Sequence, residues 1–454
     1  MEIGQYIESR AHAHLVGIGG VSMSALAEIL HTRGIPLSGS DMAESPNVSR
    51  LRGLGIPISI GHSAENLGAA GFIIRTAAAR NDNIEIQTAR KNGIPVFERA
   101  QAWGYIMRGY DNAVCVAGVH GKTTTTSMLT HIFLAAERDP TVMIGGTLPA
   151  LGSGYRVGGG DVIVVESCEY YNSFHNFLPT VAVILNIDAD HLDFFSGLDA
   201  LKESFRTFAS LVPDSGAIVC NADDPNTLDT LEPLGRELLT FGLAENSHVR
   251  GVNVSATGLN PSCDVHLDGE FFCRISLKTP GVHNLSNALA AAAAAITVGI
   301  PPEAIERGLS SFTGAARRFE YKGTCNGAAI YDDYAHHPTE LRALLDAVLP
   351  LDYNRVILAF QPHTYTRTKA LFSDFVTQLR RMESPLIAPI FAAREKNESG
   401  ISAKDLAEAI PGSRSFDSLA DLTAAIAAEA RAGDIILTVG AGDIYKVGET
   451  LAGL

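Results

Sequence analysis

The sequence predicts an α/β protein whose domains are each built around a mostly parallel sheet. Two glycine-rich turns follow apolar, strand-like segments, at Ala13–Ser24 and at Asn112–Thr126. In the last third of the chain, apolar runs again alternate with helical stretches. Such alternation is typical of parallel strands covered by helices on both faces of a sheet. A chain of 454 residues suggests three domains, at roughly 150 residues per domain. The expected domains are residues 1–110, 111–315 and 316–454.

The composition argues against several classes of protein. The net charge of −15 does not suit a nucleic-acid-binding surface, which needs clustered lysine and arginine. The six cysteines form no Cys-x-x-Cys pair, so neither a zinc site nor a disulfide framework is indicated. The amino terminus lacks a secretory pattern, and the longest apolar stretch, Ala288–Ile300, is too short to span a bilayer. We therefore expect a cytoplasmic protein without membrane or nucleic-acid partners.

The first glycine-rich turn is similar to a dinucleotide-binding unit. Ala13–Ser24 predicts a strand, a tight turn and a helix that continues to Leu30, and a second strand ends at Ser38–Asp41. Asp41 stands at the distance where such units carry an acid for a ribose. However, Ser22 replaces the third glycine of the fingerprint, which makes NAD the weaker interpretation.

The second turn predicts a phosphate-binding loop, Gly118-Val-His-Gly121-Lys122-Thr123, followed by a helical run at Ser127–Ala136. Backbone N–H groups beside the glycines can approach phosphate oxygens, the lysine adds a positive charge, and the threonine hydroxyl can bind magnesium. The glycines are closer together than in the common Gly-x-x-x-x-Gly-Lys-Thr loop, which indicates a subclass. A plain turn that opens a helix is the alternative. As an exposed loop residue, Lys122 is expected to contribute little to stability.

Two more strands are predicted beyond this loop, at Asp161–Glu166 and Thr180–Asn186. Polar residues after parallel strands meet at one edge of a sheet. Thr123, Glu166 and His191 are therefore the candidate ligands of Mg²⁺, with Mn²⁺ able to substitute. A histidine alone is more often structural, but this one has three acidic neighbours. They are Asp188, Asp190 and Asp193.

The last part of the chain predicts a third, mostly parallel sheet. The predicted strands are Ala328–Tyr331, Val356–Phe360, Leu386–Ile390 and Ile435–Val439. The alanine run Ala290–Ala295, just before this part, predicts a closely packed helix.

Several motifs, taken in order along nearly the whole chain, together resemble the Mur ligases of peptidoglycan synthesis. They are Ala117–Thr126, Asn186–Asp193, Gly281–Ala288, Arg317–Glu320 and Asp332–Glu340. Three segments are most similar to the members that add L-alanine to UDP-N-acetylmuramate. They are Gly17–Ser24, the ending His336-His-Pro-Thr-Glu340, and Phe360–Thr368.

The resemblance implies a Rossmann-like amino-terminal domain for the UDP-sugar and a central P-loop-type ATPase domain. It also implies a Rossmann-like carboxyl-terminal domain that binds the amino acid and closes over both. The implied reaction has two steps. The lactyl carboxylate of the sugar attacks the γ-phosphate of ATP, and the amine of L-alanine then displaces phosphate from the acyl phosphate. A monomer or weak homodimer is expected.

Residue roles follow from the resemblance, position by position. The implied catalytic residues are Lys122, His191 and Arg318. The implied ATP-binding residues are Gly118, His120, Gly121, Lys122, Thr123, Thr124, Asn284, Asn287, Arg318 and Asp333. The implied substrate-binding residues are Gly17, Gly19, Gly20, Ser24, Asp41, His62, His336, His363, Tyr365 and Arg367. The implied metal ligands are Thr123, Glu166 and His191.

The chain departs from the family pattern at two positions. Val119 stands where the family usually carries threonine, and Thr364 where many relatives place arginine. Arg206 occupies the place of the carbamylated lysine of several sister ligases, so no carbamate is expected.

Other interpretations remain open. His336 and His337 are alternatively helix-start residues, Tyr365 a packing residue, and Arg317 a solvated neighbour of Arg318. One alternative function is that of the ligase that attaches a whole tripeptide to the same sugar nucleotide, although its motif ends in alanine rather than Glu340. Another is a non-catalytic nucleotide-binding protein of the same fold.

Overall fold

The computed structural model describes residues 2–191, 194–256 and 258–453. The helices among these residues are α1 (Ile3–Glu8), α2 (Val21–Thr32), α3 (Pro46–Gly53), α4 (Ile84–Lys91), α5 (Arg99–Met107), α6 (Lys122–Ala135), α7 (Leu198–Ser210), α8 (Pro225–Leu231), α9 (Val282–Thr297), α10 (Pro302–Ser311), α11 (Pro338–Val348), α12 (Tyr365–Ala370), α13 (Phe372–Leu379), α14 (Ala403–Glu408), α15 (Leu419–Glu429) and α16 (Tyr445–Ala452). Short 3-10 helices lie at Ala64–Leu67, Pro149–Leu151, Tyr170–Asn176 and Glu232–Leu234.

The strands of the same residues form three sheets. They are β1 (Ala13–Val16), β2 (Leu37–Asp41), β3 (Ile58–Ile60), β4 (Phe72–Arg75), β5 (Val96–Glu98), β6 (Asn112–Ala117), β7 (Thr141–Leu148), β8 (Ser153–Arg156), β9 (Val162–Glu166), β10 (Val181–Ile184), β11 (Ala217–Asn221), β12 (Leu239–Gly242), β13 (Val249–Ser255), β14 (Ser262–Leu267), β15 (Glu270–Ser276), β16 (Glu320–Cys325), β17 (Ala328–Asp333), β18 (Val356–Phe360), β19 (Leu386–Ile387), β20 (Arg414–Ser415) and β21 (Ile435–Val439).

The chain divides into two compact units. The first contains the residues up to Val252 together with Val265–Cys273 and Asn287–Ser311. The second contains Asn253–Asp264, Arg274–Ser286 and the residues from Phe312 onward.

The amino-terminal sheet has the strand order β3-β2-β1-β4-β5, and every pairing in it is parallel. Ala13 of β1 pairs with Leu37 of β2 on one side and with Phe72 of β4 on the other. The carboxyl ends of β1, β4 and β5 therefore lie side by side. This is the edge at which open parallel sheets bind ligands.

The middle sheet has the order β15-β14-β13-β12-β11-β10-β6-β9-β7-β8. Strand β6 pairs in parallel with β9 and β10, whereas β7 and β8 pair in antiparallel fashion. Because β6 leads into the phosphate loop and β9 ends at Glu166, the parallel register places both features at the same edge of the sheet.

The first unit has a core shared by the amino-terminal and middle sheets. Apolar residues of both regions, from Leu15 to Phe208, belong to one buried cluster. Trp103 of α5 is fully buried, and its indole N–H donates to the Ser22 hydroxyl at 2.8 Å. This cluster fixes the glycine turn of the first sheet relative to the second sheet.

The second unit contains the third sheet, in the order β16-β17-β21-β18-β19-β20. Its pairings are parallel apart from β16 with β17. Successive residues of β18 point to opposite faces: Leu358 and Phe360 join one apolar cluster, and Ile357 and Ala359 join another. Both faces are thus covered, as predicted for parallel strands.

The predicted α/β class is confirmed, and most differences concern where elements begin and end. The helix after the phosphate loop begins at Lys122 rather than Ser127, because the left-handed Gly121 stands directly before it. The predicted strand Leu386–Ile390 is shorter, at Leu386–Ile387. Among the described residues, no helix is long and apolar enough to cross a membrane.

Candidate ligase site

Two glycines give the phosphate loop its shape. Gly118 and Gly121 have φ angles of 144° and 84°, in the region that favours glycine. A Cβ atom on Gly118 would lie 2.8 Å from the Leu185 side chain, which leaves no room for one. The loop therefore opens directly into α6, whose first residue is Lys122. Its backbone N–H groups and the positive end of α6 can receive phosphate oxygens.

Lys122 is not the exposed residue that we expected. Its side chain is 13% exposed, and its ammonium group donates to the carbonyl of Gly118 at 2.5 Å and of Val119 at 3.1 Å. It also pairs with Glu169, at 2.9 Å from Nζ to Oε2, and the Glu169 side chain is completely buried. The expected exposed position is therefore wrong, and we predict instead that this lysine stabilises the fold, because removing it would take the ammonium partner from a buried carboxylate.

Glu169 was missed by the sequence interpretation. Burial alone would raise the pKa of this carboxyl, but Lys122 and His191 outweigh burial and the pKa is lowered. Likewise, burial would lower the pKa of Lys122, and Glu169 more than offsets it, so that the pKa is raised. Both groups are charged at neutral pH. The available signal was an acid three residues after the strand-end residue Glu166.

Thr123 and Glu166 come together as predicted. The Thr123 hydroxyl lies 3.1 and 3.0 Å from the two carboxylate oxygens of Glu166, and one of these oxygens accepts the Gly145 N–H at 2.6 Å. Hydroxyl and carboxylate oxygens are the hard donors that Mg²⁺ prefers. Among the described residues no ion pair to Glu166 is recorded, so its charge suits a divalent cation. The donor set therefore fits a magnesium ion.

His191, the third predicted metal ligand, contacts Glu169. Its Nε2 is 3.4 Å from Glu169 Oε1, and its ring stacks on Tyr170 with centroids 4.4 Å apart. The backbone of His191 has a φ of 53°, and its N–H donates to Asp190 at 2.7 Å. Asp193, which also motivated the metal prediction, lies outside the described residues. The structure thus places His191 and Lys122 on the same carboxylate, that of Glu169.

The other predicted residues of the loop have distinct positions. His120 donates its backbone N–H to Asn186 at 2.8 Å, and its ring lies 3.2 Å from Asp188. Thr124 is buried in the first turn of α6. Val119, the departure from the family pattern, is buried in the apolar cluster of the first unit.

The two asparagines of α9 differ in their surroundings. Asn287 belongs to the first unit and lies against the phosphate loop, since a Cβ on Gly121 would meet its side-chain oxygen at 2.5 Å. Asn284 belongs to the second unit, and its amide donates to the Pro280 carbonyl at 2.7 Å.

The predicted UDP end is a tight turn after β1. Gly17 has a φ of 79°, and the Gly19 N–H donates to the Asp41 carboxylate at 2.8 Å. Gly20 is the residue before α2. Ser24 requires a correction: it is fully buried and its hydroxyl donates to the Ile18 carbonyl at 2.7 Å, so its side chain supports the turn and is not offered to a ligand.

His62 belongs to a buried polar cluster centred on Glu85. Glu85 Oε2 accepts from Ser40 at 2.7 Å and lies 2.9 Å from His62 Nδ1, while Oε1 accepts from Asn66 at 2.6 Å. Burial would raise the pKa of Glu85, but the neighbouring His14, Ser40 and Asn66 side chains lower it to about 2. With Nδ1 engaged in this way, His62 has its Nε2 left for a ligand.

In the second unit, Arg318 and Asp333 are neighbours. The Asp333 carboxylate accepts the backbone N–H groups of Phe319 and Ala335, both at 2.8 Å. Burial raises the pKa of Asp333 to about 6, and the Arg318 guanidinium opposes this shift. Arg318 itself lies over the Tyr334 ring, at 5.0 Å from the centroid.

Arg317 is neither a solvated neighbour nor an obvious ligand. Its guanidinium lies 2.9 Å from the buried Asp332 and donates to the carbonyls of Gly440 and Gly442. It therefore anchors the start of the third sheet. His337 is the residue before α11 and accepts from the Thr339 N–H at 3.3 Å, which confirms the helix-start interpretation for this histidine.

Three of the remaining predicted substrate residues, His336, His363 and Arg367, form one cluster in the second unit. The rings of His336 and His363 have centroids 5.7 Å apart, and the Arg367 guanidinium lies 3.3 Å from His363 Nδ1. Tyr365 is the first residue of α12, and Thr364 precedes it and accepts the Arg367 N–H at 3.4 Å. Two imidazoles and a guanidinium make this cluster suitable for an anionic group.

A cavity of about 220 Å³ joins the two ends of the candidate site within the first unit. Its lining includes Gly20 and the start of α2 as well as Gly145 and Glu166. The predicted sugar-nucleotide turn and the predicted metal ligand thus face the same space.

Comparisons with known proteins agree along the chain. Residues 12–111 match the Mur ligase family, catalytic domain; residues 116–295 match the Mur ligase middle domain; and residues 317–442 match the Mur ligase, glutamate ligase domain. A relative from Clostridium acetobutylicum, named UDP-N-acetylmuramate--L-alanine ligase, is 42% identical over 442 residues, which is 96% of each chain.

Solved structures give the same result. The crystal structure of the UDP-N-acetylmuramate-alanine ligase of Thermotoga maritima matches with a TM-score of 0.81 and 28% identity over 98% of each chain. A murein peptide ligase of Psychrobacter arcticus matches with a TM-score of 0.71 over 97% of this chain and 98% of that one. At 24% identity, this second likeness concerns the fold alone. On the family matches and the 42% identity together, this chain belongs to the Mur ligase family.

Proposed function

We propose that this chain is an ATP-dependent ligase that joins L-alanine to the lactyl carboxylate of UDP-N-acetylmuramate, a step in making peptidoglycan precursors. The observation that carries the proposal is the pairing of Lys122 and Thr123 with Glu169 and Glu166 at the mouth of a glycine-rich loop. The names and the full-length similarity of the relatives support the choice of substrates.

The chemistry explains why ATP is needed. A carboxylate is a poor electrophile, so one of its oxygens first attacks the γ-phosphorus of ATP, and ADP leaves with the bond electrons. The uncharged amine of L-alanine then attacks the acyl carbon, and inorganic phosphate leaves as the amide forms. One proton is lost from the amine. The protein must therefore align the groups, offset the phosphate charge and keep water from the acyl phosphate.

Lys122 is placed to offset that charge. Its ammonium contacts two loop carbonyls that phosphate oxygens can replace, while Glu169 continues to hold it. Such a prealigned cation costs little rearrangement when charge develops on the transferring group. Glu169 is thus the residue that positions Lys122.

Thr123 and Glu166 would hold magnesium. When bound, the ion offsets phosphate charge and orients the phosphate oxygens. His191 lies against Glu169 and Tyr170, and it would help to hold the Glu169 carboxylate in position. The backbone amides of the loop supply the remaining hydrogen bonds to phosphate.

The second unit would supply the amino-acid site. L-Alanine carries a carboxylate that is not consumed, and the cluster of His336, His363 and Arg367 offers donors for it. Arg318 and Asp333 would act on the nucleotide. Their role is carried over from the family resemblance.

The test is a substrate panel with the purified chain, UDP-N-acetylmuramate, ATP and Mg²⁺. L-alanine, glycine, L-serine and the tripeptide of the recycling ligases are supplied separately, and products are identified by mass spectrometry. We expect amide formation and ADP release with L-alanine above all others. Preferred use of the tripeptide would favour the recycling ligase, and nucleotide binding without any ADP release would favour the non-catalytic alternative.

A further inference from the structure

The cavity between the glycine turn and Glu166 has a wall that the family motifs did not mark. Thr76 follows β4 and Arg99 follows β5, so both stand at the carboxyl ends of parallel strands, beside the turn that follows β1. This is the ligand-binding edge of an open parallel sheet.

Arg99 is the cationic side chain among the described residues that line this cavity. No hydrogen bond or ion pair to its guanidinium is found in the part of the chain that the structure describes. Burial lowers its pKa, although an arginine still keeps its charge. A partly buried guanidinium usually has a carboxylate or carbonyl partner, since desolvating an unpaired charge is costly.

The nearby acids do not supply that partner. Glu98, the residue before Arg99, uses its carboxylate to accept a hydrogen bond from Arg75 Nε at 2.6 Å. Glu166 accepts from Thr123 and from the Gly145 N–H. Cys168 also lines the cavity, but its side chain is a thiol and not a carboxylate. Among the described residues, the Arg99 guanidinium at this cavity thus has the Glu98 charge nearby but no carboxylate within hydrogen-bonding distance.

We propose that Arg99 binds the lactyl carboxylate of the sugar nucleotide and so makes the chain select a sugar that carries this acid. This inference rests on the proposed function, which requires that carboxylate to lie near Glu166 for transfer of the γ-phosphate. The cavity contains both Arg99 and Glu166, and a planar guanidinium can hold a carboxylate with two parallel hydrogen bonds. The diphosphate of the same ligand is the other anion that Arg99 could meet.

Binding of three related ligands separates these two anions. UDP-N-acetylmuramate carries both the diphosphate and the lactyl carboxylate, UDP-N-acetylglucosamine lacks only the lactyl group, and UDP lacks the sugar. Each is titrated by calorimetry in the presence of Mg²⁺ and a non-hydrolysable ATP analogue. The proteins are wild type, Arg99→Gln, Arg99→Lys and the control Arg108→Gln, which removes an exposed arginine just after the same helix.

We expect Arg99→Gln to lose at least tenfold in affinity for UDP-N-acetylmuramate and to keep its affinity for the other two ligands. The affinity of Arg99→Lys for UDP-N-acetylmuramate should lie between those of wild type and Arg99→Gln, because lysine keeps the charge without the paired hydrogen bonds. Arg108→Gln should match wild type. An equal loss for all three ligands would assign Arg99 to the diphosphate and overturn the proposal, and so would no loss for any.

Turnover distinguishes this inference from the proposed function. With L-alanine, Arg99→Gln should raise the KM for the sugar nucleotide and leave the KM for ATP unchanged. If wild type makes no amide at all, the proposed function fails, whatever the binding data show. If wild type ligates L-alanine and Arg99→Gln has an unchanged KM for the sugar nucleotide, only the role of Arg99 is wrong.

Discussion

Lys122 and Glu169 form an ion pair at the base of the phosphate loop, with 2.9 Å between Nζ and Oε2 and with the carboxylate completely buried. Glu169 also lies 3.4 Å from His191. One acid thus holds two of the residues assigned to catalysis. Positioning a cation in this way reduces the rearrangement needed when it meets a phosphate, but it makes the loop depend on that cation for stability.

Lys122→Ala should abolish ligation and also destabilise the first unit. Breaking a buried pair by removing one partner typically costs about 3–5 kcal/mol. The double variant Lys122→Ala/Glu169→Ala should recover part of this stability without recovering activity. Urea unfolding, followed by the fluorescence of Trp103, the chain's one tryptophan, measures the loss of stability. Lys404→Ala removes an exposed lysine and serves as the control.

If Lys122→Ala unfolded at the same urea concentration as wild type, the ion pair of Lys122 and Glu169 would not stabilise the fold. Ligation by Lys122→Ala within a few-fold of wild type would contradict the assignment of the phosphate loop itself.

Glu166→Gln should raise the Mg²⁺ concentration needed for half-maximal activity by at least tenfold, because an amide oxygen attracts the ion less than a carboxylate. Binding of a fluorescent ATP analogue, measured across a Mg²⁺ titration, gives a readout that does not depend on turnover. Glu65→Gln, an exposed acid in a 3-10 helix, is the control. Full ATP-dependent activity of wild type in excess chelator would rule out this metal site.

Substitutions of the two adjacent arginines, Arg317 and Arg318, should have different effects. Arg317→Ala should lower thermal stability, since it removes the partner of the buried Asp332, while Arg318→Ala should lower kcat at least tenfold with a smaller loss of stability. Circular dichroism melting and the ligation rate separate the two effects. The assignment fails if Arg318→Ala ligates normally or if the two variants exchange these behaviours.

The lowered pKa of Glu85 predicts that the free energy of unfolding depends on pH. Its pKa is lowered from 4.5 to about 2, so the ionised carboxylate favours the folded state. This contribution is complete above about pH 5 and disappears as the pH falls toward 2. By the usual relation between pKa and free energy it amounts to about 3 kcal/mol.

Comparing wild type with Glu85→Gln by urea unfolding tests this dependence. The difference in the free energy of unfolding should be largest near pH 7 and shrink below pH 4.5. Glu44→Gln removes an exposed acid of the same region and should show little difference at any pH. A Glu85→Gln difference that stays constant from pH 7 to pH 3 would contradict the account.

The sequence was sufficient for features that are contiguous or that end strands. Gly118–Thr123 is read from a single motif, and Glu166 follows from its place after an apolar run. Glu169, Glu85 and Arg99 were not predicted, because their meaning depends on partners that folding brings together from distant positions. Glu85, for example, meets Ser40 from 45 residues away. Ser24 shows the opposite error. Its motif predicted a substrate-binding residue, but its hydroxyl donates to the Ile18 carbonyl within the turn.

The ends of helices and strands were also hard to predict, because they too depend on the folded surroundings. Helix α6 begins at Lys122 because the backbone of Gly121 permits it, and the threonines that follow are poor helix formers that burial nevertheless holds in the helix. Strands β13 to β15 were not predicted, although apolar and polar residues alternate along them, because the strand predictions relied on continuous apolar runs, which these partly exposed strands lack.

The central claim is that ATP activates the lactyl carboxylate, and an oxygen-isotope experiment tests it most directly. UDP-N-acetylmuramate labelled with ¹⁸O in its lactyl carboxylate is incubated with the chain, L-alanine, ATP and Mg²⁺. Because phosphate leaves with the oxygen that attacked the γ-phosphorus, we predict one ¹⁸O atom in each inorganic phosphate released and one retained in the amide. Amide formation with phosphate that contains no ¹⁸O would contradict the account.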